Sequence, residues 1–119
     1  MKFEIAPKSS EVHINWADAL EYCDSLTIDG KTGWRLPTIE ELHKIYESDE
    51  ASNEIYFSEE ELNDIHESKN RFIGKSYWSS TRNYGYSAWC QEMYSGYQFY
   101  SNRHKHCYVR AIRDLKDNS

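Results

Sequence analysis

Apolar residues along the first third of the chain recur with the period of a helix. Trp16, Ala19, Leu20, Cys23 and Leu26 fall at i, i+3, i+4, i+7 and i+10, one face of an amphipathic helix. Asn15 stands where an N-cap belongs, with Asp18 three residues on. A second helix is predicted after Pro37. Thr38 and Glu41 have the spacing of a capping box, and Ile39, Leu42, Ile45 and Tyr46 make its inner face. Ser58 and Glu61 repeat that spacing and open a weaker third helix through Leu62, Ile65 and His66.

The remaining pattern is that of strands. Lys2 to Ala6 reads as a short edge strand ended by Pro7. Asp29-Gly30-Lys31-Thr32-Gly33 is a turn, and Trp34 to Pro37 is extended, because Pro37 disfavours helix at Leu36. After Gly74 come Tyr77 to Thr81, then the alternating runs Ser87–Tyr94 and Tyr97–Ser101 with Ser95-Gly96 between them, which predicts a tight hairpin. Tyr108 to Arg113 is a last strand. Two helices followed by an antiparallel meander predict an α+β domain with one twisted antiparallel sheet.

Composition narrows the class. At 119 residues the chain has room for one domain, 1–119, and its 15% aromatic content is too high for a disordered protein. No stretch approaches a membrane span, and Met1 to Ser10 lacks the apolar run of a secretory leader, so a cytoplasmic protein is expected. Three cysteines, Cys23, Cys90 and Cys107, point to free thiols, although Cys90 and Cys107 could meet across a sheet.

Charge adds an asymmetry that the net value of -6 conceals. From Glu47 to Ser68 there are nine acids and no Lys or Arg; from Lys69 to Arg113 eight cations face the single acid Glu92. A solvated acidic insertion at about 47–68 is the plain reading. A dipolar surface that steers a charged partner is the sharper one. The negative total places nucleic acid below protein as a partner.

The blocks Trp16 to Cys23, Gly33-Trp34-Arg35-Leu36-Pro37-Thr38 with Glu41-Leu42, Tyr77-Trp78-Ser79-Ser80-Thr81, Ala88-Trp89 with Gly96, and Val109-Arg110-Ala111-Ile112-Arg113 together resemble the bacterial domain named for the C-terminal part of collagen-like adhesins. The resemblance runs from about Trp16 to Arg113. It implies a variant of the C-type-lectin-like fold, distantly akin to formylglycine-generating enzymes and to receptor-binding proteins diversified by retroelements. Its blocks are specific for the fold and poor guides to function. The family often carries a cysteine in the last block, able to bond the first-helix cysteine; here Ala111 stands in that position. This departure, the acidic insertion and the missing export signal together suggest a family fold reused inside a cell, on a mobile element such as a phage.

Candidate chemistry is concentrated in one segment. Trp34, Arg35, Trp78, Ser79 and Ser80 are expected to hold the framework, and Arg110 and Arg113 to anchor the last strand by salt bridges. Trp89 and Phe99 are expected to point inward. Arg82, Asn83, Tyr84, Tyr86, Gln91, Tyr94, Tyr97, Gln98, Tyr100, Asn102, Arg103 and His104 are the candidate binding residues, since Tyr, Asn and Arg on strands and loops are what recognition surfaces are made of. No G-x-S-x-G context is present, and His104, His106 and Cys107 alternate faces on one strand, so neither a catalytic residue nor a metal or other cofactor is expected. The sugar-lectin signatures E-P-N, Q-P-D and W-N-D are absent. The leading expectation is a non-catalytic protein-binding module, an inhibitor or adaptor, with the acidic segment as a second contact and a homodimer possible. The alternatives are a carbohydrate or glycosaminoglycan-binding adhesin module and a phage structural or receptor-binding protein.

Overall fold

The protein is represented by a computed structural model that describes residues 2–47, 75–93 and 95–115, together with the backbone of 55–56. The predicted third helix, Tyr94 and all but Glu47 of the acidic run's charged residues lie outside the described residues.

Asn15 caps the first helix, α1 (Trp16–Ser25), as expected: its side-chain oxygen accepts from the Asp18 N–H at 2.9 Å. The second helix, α2 (Ile39–Glu47), opens on a complete capping box. The Thr38 N–H donates to Glu41 Oε1 at 2.8 Å, and the Glu41 N–H donates to Thr38 Oγ1 at 3.2 Å. Two orphan donors of the helix start are thereby satisfied.

Among the described residues, nine strands form two sheets rather than one. They are β1 (Lys2–Ile5), β2 (Val12–Ile14), β3 (Trp34–Arg35), β4 (Ile55–Tyr56), β5 (Ser76–Arg82), β6 (Ser87–Glu92), β7 (Gln98–Asn102), β8 (Cys107–Val109) and β9 (Ile112–Leu115). The first sheet has the order β3-β9-β1-β4 and the second β2-β8-β5-β6-β7. Most pairings are antiparallel, but β1–β4 and β5–β8 are parallel. The class is α+β.

Three strand expectations are corrected. Lys2–Ile5 is not an edge: β1 lies between β9 and β4, because its alternation buries Phe3 and Ile5 on one face while both its sides find partners. The last strand is two strands in different sheets. The chain leaves β8 at Arg110, whose buried guanidinium is tied to Glu11, and re-enters the other sheet at Ile112. The hairpin loop is longer than two residues. The Glu92 N–H donates to the Tyr97 carbonyl at 2.8 Å, and Met93, buried in the core, is drawn out of the turn.

The second sheet is covered on both faces, which gives two cores. One gathers Trp16, Ala19 and Cys23 of α1 with Trp34, Leu36, Trp78, Ala88, Cys90, Cys107, Val109 and Ala111. Cys23 and Ala111 share this core. The other gathers Ile39, Leu42 and Ile45 of α2 with Phe3, Ile5, Tyr77, Met93 and Ile112. Tyr46, assigned to the inner face of α2, is instead 38% exposed and lies across Gly96.

The expected framework residues hold the frame by polar contacts as well as by area. The Trp16, Trp34 and Trp78 indole N–H groups donate to the carbonyls of Ser79, Lys31 and Ile14 at 2.8, 3.0 and 2.9 Å. Arg35 makes paired bonds to both Glu41 oxygens, 2.7 Å each, and further bonds to Asp114. Arg113 donates to Glu4 at 2.7 Å.

Candidate functional site

The β5–β6 connection and the β7–β8 turn meet at one end of the second sheet. The Arg103 N–H donates to the Tyr86 carbonyl at 2.7 Å, and the Trp16 N–H donates to the Arg103 carbonyl at 3.1 Å. Start of α1, loop and turn are therefore fixed to one another by backbone bonds. Gly85, at φ +69°, reverses the loop in a conformation that other residues rarely adopt.

On this scaffold the side chains form a rim. Tyr84 is 96% exposed and Tyr86 73% exposed. Arg103 stacks between two rings, its guanidinium carbon 5.4 Å from the Trp16 ring centre and 5.6 Å from that of Tyr86. Arg82 stands over the same Trp16 ring at 5.5 Å. Arg103 Nη2 also reaches the Gly85 carbonyl at 3.4 Å. His104, Lys105 and His106 continue the rim and are exposed; His13 of β2 lies edge-on to His106 at 5.7 Å.

Not all candidate residues join this rim. Asn83 is half-buried and spent on the loop, its amide donating to Ser87 Oγ at 3.3 Å. Asn102 is exposed, but its oxygen caps the turn by accepting from the His104 N–H at 2.9 Å. Tyr97, Gln98 and Tyr100 belong to the hairpin's far side. Tyr97 stacks on Phe99 at 5.9 Å, whereas Tyr100 stands edge-on to Trp89 at 5.6 Å. Phe99 packs against the α1 core and Trp89 against the α2 core, so these two exposed tyrosines face opposite sides of β7. Both Trp89 and Phe99 are half-buried, turned inward on opposite faces.

One candidate is overturned. Gln91 is fully buried. It is registered between Tyr77 and Gln98, and its oxygen accepts from Gln98 Nε2 at 3.0 Å. The reason is that β6 is covered on both faces, so a polar residue in its alternation does not mark an exposed face.

Two contributors lie outside the candidate segment. Trp16, on the apolar face of α1, is the platform for both arginines. His13 belongs to β2, for which the apolar-polar-apolar order of Val12-His13-Ile14 is a short strand signal. Elsewhere, a wide groove of about 580 Å³ runs between α1 and β3, lined by residues that include Leu20, Glu21, Asp24, Trp34, Arg35 and Ser80. Arg35 there is committed to Glu41 and Asp114. Among the described residues, no group of three His, Cys, Asp or Glu side chains converges as a metal site.

Two sheets and two helices that carry a rim of tyrosine and arginine define a small α+β domain of the binding-module kind. Residues 5–113 match the family model of the Lcl C-terminal domain, and the chain belongs to that family. A comparison with curated proteins gives no match. Among the described residues, no helix is long and apolar enough to cross a membrane.

Proposed function

We propose that this chain is a non-catalytic protein-binding module with a C-type-lectin-like fold, acting as an inhibitor or adaptor. The observation that carries the reading is the rim itself: large exposed tyrosines beside stacked arginines on backbone-fixed loops. Tyrosine offers a broad contact area for two side-chain torsions, and a stacked arginine loses less freedom on binding than a free one. Three buried, free cysteines suit a reducing compartment and support a cytosolic setting for the module.

A second reading draws on family membership and on the same rim. Aromatic faces stack on sugars, and Arg82, Arg103 and Lys105 offer cations to sulfates, as in a glycan-binding adhesin module. Binding to a glycan array that vanishes at high salt favours this reading; silence on the array removes it.

Affinity capture separates the two. Wild type, a Tyr84→Ala/Tyr86→Ala variant and a Tyr97→Ala/Tyr100→Ala variant are each used as bait in a soluble host extract, read by mass spectrometry. One stoichiometric protein, lost in the Tyr84/Tyr86 variant, is the expected result. Equal capture by all three baits overturns the proposed surface.

A further inference from the structure

Five of the chain's arginines fall among the described residues, and they divide cleanly. Arg35, Arg110 and Arg113 each bond a carboxylate: Glu41 with Asp114, Glu11, and Glu4 respectively. Arg82 and Arg103 have no carboxylate within ion-pair distance among the described residues, and they are the two that stand on Trp16. Two like charges held over one indole repel each other. The guanidinium donors of Arg82 make no hydrogen bond among the described residues, and Arg103 spends only an Nη2 donor on the Gly85 carbonyl, so donors of both remain for an acceptor. Arg103 is fixed further by Tyr86 and the Gly85 carbonyl.

From this geometry we infer that Arg82 and Arg103 form a clamp for a carboxylate presented by an acidic segment of a protein partner. The inference rests on the binding-module reading and names the chemistry of its partner. A guanidinium fork matches the two oxygens of a carboxylate, and two forks over one platform fit one or two such groups. A protein source is favoured over a long polyanion by what flanks the clamp. The exposed Tyr84 and Tyr86 beside the clamp supply the apolar contact that a protein partner uses and a bare anion does not.

Fluorescein-labelled hexaglutamate is the probe, titrated into the whole chain at low ionic strength and followed by anisotropy. Arg82→Gln and Arg103→Gln are each expected to weaken binding roughly tenfold or more, and Arg82→Lys nearly as much, because lysine keeps the charge but lacks the fork. Lys8→Gln, which removes the same charge outside the rim, is expected to change binding less than twofold. Arg82 is exposed, so its variants fold even if Arg103→Gln loosens the loop. Absence of binding by wild type overturns the clamp, as does equal weakening by Lys8→Gln. A heparin oligosaccharide bound more tightly than hexaglutamate, and weakened as much by Lys105→Gln as by Arg82→Gln, overturns the carboxylate assignment in favour of a diffuse polyanion site. The module reading fails separately: a captured partner retained by Arg82→Gln but lost by Tyr84→Ala/Tyr86→Ala leaves that reading standing while the clamp falls.

Discussion

Three thiols lie inside the molecule, and burial closes each to reagents. Cys23 is fully buried among the side chains of the α1 core, and loss of hydration pushes its thiol up to about 12. Cys90 and Cys107 sit with sulfurs 3.7 Å apart; the shared S–H contact and then burial push the Cys90 thiol upward as well. A thiol attacks as its thiolate, and burial also blocks access. Native protein at pH 8 is therefore expected to release almost no thionitrobenzoate from Ellman's reagent within minutes. The same protein in guanidinium releases three equivalents. Rapid reaction of any one thiol in the native state refutes this packing. Cys23 was legible as a buried small hydrophobe from its place in the apolar stripe. The meeting of Cys90 and Cys107 across a sheet was legible as one option; that it leaves two thiols 3.7 Å apart was not, because they lie 17 residues apart on strands whose neighbours no local pattern names.

At the scale of elements, the helices were the most legible part. Their starts are fixed by side-chain to backbone bonds within three residues, and such bonds depend on local order alone. The hairpin was legible in its existence and register trend but not in its loop. Gly96 has φ +79°, and a β-carbon there would come within 2.6 Å of the Tyr46 ring, so α2 and the β6–β7 loop dock through a glycine. Gly96→Ala meets both an unfavourable backbone angle and this contact, and is expected to lower stability by about 1–3 kcal/mol. Chemical denaturation measures it. Pairing it with Tyr46→Ala removes the ring and is expected to recover only part of the loss; full recovery discounts the backbone contribution. The split of the last strand was illegible, since Val109 to Arg113 reads as one extended run and only the pull of two sheets divides it.

Over the whole molecule, one acid joins distant parts of the chain. Glu11 accepts from Lys75 Nζ at 2.6 Å, from the Tyr77 hydroxyl at 2.6 Å and from Arg110 Nη2 at 2.9 Å. It thus ties the β1–β2 connection to β5 and to the joint between the two sheets. Burial by itself raises this carboxyl, but the bonds from Lys75, Tyr77 and Arg110 outweigh it and hold the group below its ordinary value of 4.5. A carboxyl depressed in the folded state contributes stability that is complete above the unfolded value and is lost as pH falls through the folded one. Melting temperature is therefore expected to hold above about pH 5 and to fall steeply below pH 4. Glu11→Gln removes the buried carboxylate that pairs with Arg110 and Lys75, and is expected to cost about 3 kcal/mol at neutral pH while flattening the acid limb. An acid limb unchanged in that variant assigns acid unfolding to other carboxylates, with Glu41, held down by Arg35 and Thr38 against burial, the next to test.

By itself the sequence determined the two helices and their caps, the β6–β7 hairpin, the α+β class and the tryptophan framework. Each follows from spacing along the chain: a period near 3.6, an alternation of two, a capping residue three positions from its partner. Residue type also marked the segment from Arg82 to His106 as the candidate for recognition. Tertiary structure alone decided which of those residues share a surface. It buried Gln91 because β6 is covered on both faces, and it set Tyr97 and Tyr100 on opposite sides of β7. It brought Arg82 and Arg103 together on Trp16, a residue 66 positions before the first of them in the chain. Such a meeting depends on how sheets and helices close on one another, and no periodicity within a single element encodes it.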